Sequence, residues 1–334
     1  MVEIKESTPL LDANGCVINE GWARHPYWDY NASGNLKNLR RSGWDSYTLT
    51  DPDKSIAINA MHANIIHEGL YSITYIDYSK AFAAVTVSEK MLRSFLNKNL
   101  HYPSSSNYYS YFDSSMVMSF VRNANSYFIL LSSPEMQLES ETGLKLDAAF
   151  HGNEDDECIA CAFSLNEKGK GFIYAMREAA IPASGKLFFS DHVSSIDNAI
   201  GFHEQVRSDG RGKGRIYSVQ INAQKDGRNI SICANAKDDT MNAVYSSGRI
   251  RKMSECILQH DGKKWILTDK DNTISMVMHD DTSFTIPDYK GIDKIERKCI
   301  AGIFSGSVIL PDGRECLIDK GFGQLKEISW KEIK

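Results

Sequence analysis

No run of about 18 apolar residues occurs anywhere in the chain, so no membrane-spanning helix is expected. No apolar stretch follows Met1-Val2-Glu3-Ile4-Lys5-Glu6, which argues against a secretory signal. Cysteine is sparse: Cys16, Cys158, Cys161, Cys233, Cys256, Cys299 and Cys316 are odd in number and scattered. Without a signal they read as reduced thiols of a cytoplasmic protein, not a disulfide framework. No two of the nine histidines show i, i+4 spacing with a Glu between. His62 and His67 would face opposite sides of a strand, so no metal site is expected. A Gly-x-Ser-x-Gly elbow is missing, which removes support for a serine hydrolase. Short-period repeats and low-complexity segments are missing too. A surplus of positive charge is also lacking: the formal net charge is −5, against a general nucleic-acid binder.

What is present is an ordinary soluble-globular composition, 42% apolar and 24% charged. The 334 residues suffice for two domains of about 150 residues each. Short strand-like runs recur along the chain: 44–50, 55–61, 71–77, 114–122, 126–132, 143–150, 157–164, 168–178 and 184–190. Their β-branched and aromatic content supports strands. Lys80 to Leu100 is mixed, with Val85-Thr86-Val87 strand-like and Glu89 to Leu96 compatible with a short helix. Residues 191–215 are poor in strand formers, and a domain junction is placed there, dividing the chain into 1–190 and 191–334. Beyond it a meander is expected. Asp226-Gly227, Asp261-Gly262 and Pro311-Asp312-Gly313 each join two strand-like runs as hairpin turns. So many short strands with few helices imply an all-β chain of sandwiches or barrels. An antiparallel barrel with a lumen holds an apolar ligand at its mouth.

The stretch Glu20-Gly21-Trp22-Ala23-Arg24-His25-Pro26-Tyr27-Trp28-Asp29-Tyr30-Asn31 concentrates aromatic rings. Pro26 excludes a helix and pushes His25 towards extended backbone. This strap is either a structural plug over an open core or a wall of a ligand pocket. Cys158-Ile159-Ala160-Cys161 is a lone C-x-x-C without further ligands and reads as two core or edge cysteines. Asp209-Gly210-Arg211-Gly212-Lys213-Gly214-Arg215 lacks the Lys-Ser/Thr ending of a P-loop and reads as a flexible basic loop, or else an anion-contacting one. His203-Glu204-Gln205-Val206-Arg207 places an imidazole, a carboxylate and a guanidinium within one short segment. It is either a surface salt-bridged turn or an acid–base group.

The strap, Leu10-Leu11-Asp12, Gly15 and Trp44-Asp45-Ser46-Tyr47 together resemble the start of the bacterial family called domain of unknown function 2804. The run from Ala301 to Gly313, then Gly321-Phe322-Gly323 and Trp330, is similar to that family's closing hairpin and tail. Phe172-Ile173-Tyr174, Ile181-Pro182-Ala183-Ser184-Gly185 and Ile200-Gly201 look similar as well. One departure stands out. Where the family carries Asp-Trp-Gly-Arg-Gly, this chain has Glu204-Gln205-Val206-Arg207-Ser208, which keeps the acid and the arginine alone. The resemblance implies two lipocalin-like β domains packed together, as in carotenoid hydratase-like proteins and lipocalin-like Diels–Alderases, with a few short helices. It further implies a cofactor-free biosynthetic enzyme, a cyclase, isomerase or hydratase of a polyketide- or isoprenoid-type substrate held in a cleft between the domains. On that reading Glu204 or His203 supplies the acid, Arg207 and Tyr217 orient it, and Trp22, His25, Tyr27, Trp28, Asp29 and Trp44 contact an apolar small molecule. The rivals are a non-catalytic carrier of a lipid-like ligand and a structural protein with filled barrels.

Overall fold

The computed structural model describes residues 2–32, 41–65, 68–91, 106–124, 126–139, 141–165, 171–190, 192–209, 214–236, 239–287 and 295–330. The strap segment supplies β1 (Thr8–Pro9), β2 (Gly21–Ala23) and β3 (Trp28–Asp29). A first long run follows: β4 (Arg41–Asp51), β5 (Ile56–Ile65), β6 (Glu68–Asp77), β7 (Phe82–Met91), β8 (Ser106–Phe112), β9 (Val117–Asn123), β10 (Ser126–Gln137) and β11 (Thr142–His151). Then come β12 (Ile159–Ser164), β13 (Phe172–Phe189), β14 (His192–Asp209), β15 (Gly214–Lys225), β16 (Arg228–Asn235), β17 (Ala243–Ser246) and β18 (Arg249–Lys252). The chain ends with β19 (Cys256–His260), β20 (Lys264–Asp269), β21 (Ile274–Ile286), β22 (Ile295–Ile309) and β23 (Glu315–Trp330).

Every element among the described residues is a strand, so the all-β expectation holds and the few short helices do not occur there. The expected helix from Glu89 is strand β7 as far as Met91, and residues 92–96 lie outside the described residues. Two antiparallel sheets carry the architecture. The first runs β7-β6-β5-β4-β14-β13-β11-β10-β9-β8, with β12 and β2 branching off β13. The second runs β18-β17-β16-β15-β23-β22-β21-β20-β19. The three hairpin turns form where expected. Asp226 and Gly227 both take positive φ, at 51° and 72°, the requirement of a type I′ turn.

The change of sheet falls later than the 190/191 division read from the sequence. Residues 192–209 form β14, which pairs with β13 on one side and β4 on the other, deep in the first sheet. Its polar residues are no bar to strand structure, because both faces meet polar partners across the sheet. Of the basic loop, residues 210–213 lie outside the described residues, as do 33–40 of the early connecting loop.

Inward side chains of the first sheet pack into one apolar core, with Ile58, Ile73, Met118, Leu131, Leu146, Phe150 and Leu187 nearly or wholly buried. Gly201 on β14 lets Phe150 lie flat on the backbone. A Cβ there would sit 2.8 Å from the ring carbons. Gly201→Ala is therefore expected to cost about 2 kcal/mol through overpacking, measurable as a lower urea midpoint with unchanged slope.

The sheets meet along two apolar seams. One joins Trp22, Phe202 and Val206 to Met241, Ala243 and Tyr245. The other joins Ala57, Ile76 and Tyr78 to Ile286, Ala301 and Phe322. A polar bridge runs between them: Asn222 Nδ2 donates to Thr50 Oγ1 at 2.9 Å, and Ser231 Oγ donates to Asn222 Oδ1 at 2.7 Å.

Candidate active site

The long strand β13 begins as an apolar run, Phe172-Ile173-Tyr174-Ala175-Met176, and then places two charges together, Arg177-Glu178. Successive strand residues point to opposite faces. One charge must therefore be buried on each face. The partners come from β14 in register, Arg177 opposite Glu204 and Glu178 opposite His203. The result is two neighbouring pairs on opposite sides of one sheet.

The pair facing the second sheet is Arg177–Glu204. Arg177 Nε donates to Glu204 Oε1 at 2.5 Å, and Trp44 Nε1 donates to Glu204 Oε2 at 2.8 Å. Arg177 also reaches the second sheet's side, donating to the Met241 carbonyl and to Asn235 Oδ1, each at 3.1 Å. Burial pushes the Glu204 carboxyl up. The Arg177 charge and the Trp44 hydrogen bond outweigh this and hold it below the usual carboxylate range. Both Glu204 oxygens are thus engaged, one by Arg177 and one by Trp44.

The pair facing inward belongs to a larger polar tier. Glu178 accepts from Arg122 Nη2 at 3.2 Å, from His203 Nδ1 at 3.0 Å and from the Tyr127 hydroxyl. The His203 ring stacks on Tyr47 with centroids 4.6 Å apart, and Tyr47 stacks on Phe120 at 4.4 Å. Beside this group Arg207 Nη2 donates to both Asp45 oxygens, at 2.9 and 3.2 Å. Burial raises the Glu178 carboxyl, but Arg122, His203 and Tyr127 pull it down to about 2. The carboxylate beside Nδ1 orients the imidazole ring. Among the described residues His203 Nε2 has no hydrogen-bond partner, and neither have Gln205 Oε1 and the Tyr174 hydroxyl. All three are buried, and leaving such an atom unpaired costs about 1–3 kcal/mol.

The alternation of β14 divides the expected site. His203 and Arg207 enter the inward tier, while Glu204 turns to the second sheet. The segment is buried mid-strand, which removes the reading as a surface turn. Tyr217 sits on β15 of the second sheet and donates to Glu327 at 3.1 Å, so its hydroxyl belongs to a different sheet from the other three.

The strap is divided too. Trp22 and Trp44 join the seam between the sheets. Trp28, with Tyr27 and Tyr30 beside it, packs on Leu10, Phe172 and Tyr174 against the opposite face. Its indole N–H is satisfied by the Asn19 carbonyl at 2.9 Å. Asp29 is exposed and His25 leans on Tyr27 with centroids 5.7 Å apart. Cys158 and Cys161 are buried on these two opposite faces, as core cysteines.

Just beyond the two pairs the register of β13 and β14 shifts at Glu178–Ile181, and Ala180 takes φ 56°. The Ala180 N–H is held by Ser231 Oγ of the second sheet at 3.0 Å. At this bulge a cavity of about 380 Å³ opens between the sheets, its wall including Glu178, Ala180, Pro182, Ala199, Tyr245 and Arg249. That volume falls in the lower range of ligand sites. No residue of the strap lies on its wall. No group of three or more His, Cys, Asp or Glu among the described residues could hold a metal ion, and no helix there is long and apolar enough to cross a membrane.

Sequence reasoning missed Arg177, Glu178, Arg122, Tyr127, Asp45 and Tyr47. The available signal was Arg177-Glu178 itself, a charged doublet inside an apolar strand.

Among solved structures, kievitone hydratase from Nectria haematococca is similar at 12% identity over 87% of this chain and 89% of that one, with a TM-score of 0.46. CghA with Sch210972 is similar at 10% identity over 88% and 89%, with a TM-score of 0.49. No curated protein matches the sequence. A family model described as domain of unknown function DUF2804 matches residues 1–329, and the chain belongs to that family.

Proposed function

We propose that this chain is an enzyme that moves a proton on a small, largely apolar organic molecule, with His203 as the acid–base group. The observation that carries the reading is the orientation of His203 by Glu178. The imidazole is buried, its Nδ1 is tied to an ionised carboxylate, and its Nε2 has no hydrogen-bond partner among the described residues. Such an imidazole can take a proton at Nε2, with the resulting cation stabilised by Glu178, and return it at another atom. An isomerisation, a cyclisation or the addition or loss of water each fits this step. Gln205 Oε1 and the Tyr174 hydroxyl can position a polar group of the substrate. The cavity at the bulge has Glu178 but not His203 on its wall and lies on the second-sheet side of β13, so the reading rests on the orientation of His203 and not on that cavity. The ion pairs Arg122–Glu178, Asp45–Arg207 and Arg177–Glu204 cancel one another's charge, which favours a neutral substrate. The proton transfer itself draws on the chain's own side chains.

The test is incubation of the purified protein with small-molecule extracts, followed by untargeted mass spectrometry. Catalysis is expected to deplete one compound and yield a product of the same mass or differing by one water. A bound molecule recovered unchanged after long incubation would instead mark a carrier.

A further inference from the structure

Where the three strands at one end of the first sheet, β10-β9-β8, pair with one another, their outward face carries no charge. Its positions are Tyr108, Ser110 and Phe112 on β8, Val117, Ser119, Val121 and Asn123 on β9, and Ser126, Phe128, Leu130 and Ser132 on β10. The large side chains stand clear of the protein: Phe112 is 76% exposed, Tyr108 58% and Phe128 53%. The register groups them. Tyr108 lies opposite Val121, which lies opposite Phe128, and Phe112 lies opposite Val117. Charge returns at the far end of β10, at the exposed Glu135, and on the fourth strand, where Lys145 and Asp147 of β11 stand opposite Ser132 and Leu130. Scattered exposed apolar residues need no explanation, but a contiguous patch marks an interaction surface.

The patch ends at a sheet edge. Among the described residues β8 has a strand partner on one side only, β9. Edge strands are ordinarily guarded against pairing by charged residues or proline. One edge of the second sheet shows this guarding, where β18 carries Arg249, Arg251 and Lys252 in four residues. The sequence of β8, Ser-Asn-Tyr-Tyr-Ser-Tyr-Phe, has neither a charge nor a proline.

We propose that the β8 edge and the uncharged face beside it form an interface with a second copy of this chain, β8 lying antiparallel to β8 across a two-fold axis. An antiparallel edge is complementary to its own copy, as an isologous contact requires. Pairing would extend the sheet through both protomers and bring the two apolar faces side by side. The absence of charge selects this occupant. An anionic membrane surface would call for lysine or arginine on the face, and a charged protein partner for a complementary charge.

Sedimentation velocity over a concentration series tests the proposal, with vesicles of neutral phosphatidylcholine as a parallel arm. The wild type should sediment as a dimer. Tyr108→Lys and Phe112→Lys should shift it to monomer with an unchanged circular dichroism spectrum, whereas Leu317→Lys, an exposed position on the second sheet, should leave the dimer intact. Hydrogen exchange at the β8 amides should quicken in the two dissociating variants. A wild type that stays monomeric throughout, a dimer indifferent to both substitutions, or vesicle binding in place of self-association would each overturn it.

Discussion

His203→Ala should lower kcat/KM for the identified substrate by about 10²–10⁴-fold, the usual contribution of a positioned acid–base group. The side chain faces a tier made by five strands, and its neighbours constrain it from two sides: Tyr47 stacks on the ring and Glu178 holds Nδ1. Removing the imidazole removes the unpartnered Nε2 to which the proposal assigns the proton transfer. Exposing the stacked Tyr47 also costs packing, so the assay needs a companion. Glu178→Gln keeps the imidazole but replaces its carboxylate anchor with an amide. It should lower the rate less than His203→Ala and alter the pH profile of kcat/KM, which a purely structural role of His203 would not do. A turnover within a few-fold of wild type for His203→Ala, in protein shown to be folded, would sink the assignment.

Glu178→Ala should be the most destabilising single change at the site, at about 3–5 kcal/mol, because it leaves Arg122 buried without its charge partner. Urea unfolding measures this directly. Arg122→Met combined with Glu178→Leu should recover much of the loss, since removing both charges removes the penalty of an unpaired one. The same carboxylate sets an acid dependence. Its folded-state value, about 2, lies below its ordinary 4.5, so between these values the unfolded chain binds the proton and the folded chain does not. Stability from this group is complete above about pH 4.5 and is lost as pH falls towards 2, by roughly 3 kcal/mol in all. The unfolding free energy of wild type should therefore drop through that window more steeply than that of Glu178→Gln. Parallel slopes for the two proteins would show that Glu178 is not the group responsible.

The all-β class, the hairpins at Asp226-Gly227, Asp261-Gly262 and Asp312-Gly313, and the family were legible in the sequence because each rests on local pattern. The site was legible only in part. His203 and Arg207 were singled out, but with Glu204 they were taken as one cluster, since closeness in sequence hides the period-two alternation that sends them to opposite faces. Residues 192–209 read as a junction because Ser, Asp and Asn dilute their strand character. Burial of polar side chains against Glu178, Asp45 and Trp44 makes them a strand, and those partners lie far away in the chain. Arg122 and Tyr127 were out of reach for the same reason, being ordinary residues until β9 and β10 fold under β13.

The strap has a consequence for how the chain is made. Trp22 and Ala23 pair with Cys161 and Ala160, and Trp28 packs on Tyr174, so the strap waits during synthesis for partners well over a hundred residues downstream. Such non-local closure is slow, and apolar surface left uncovered meanwhile is prone to aggregate. Newly made protein should be most vulnerable to self-association until β12 and β13 have emerged.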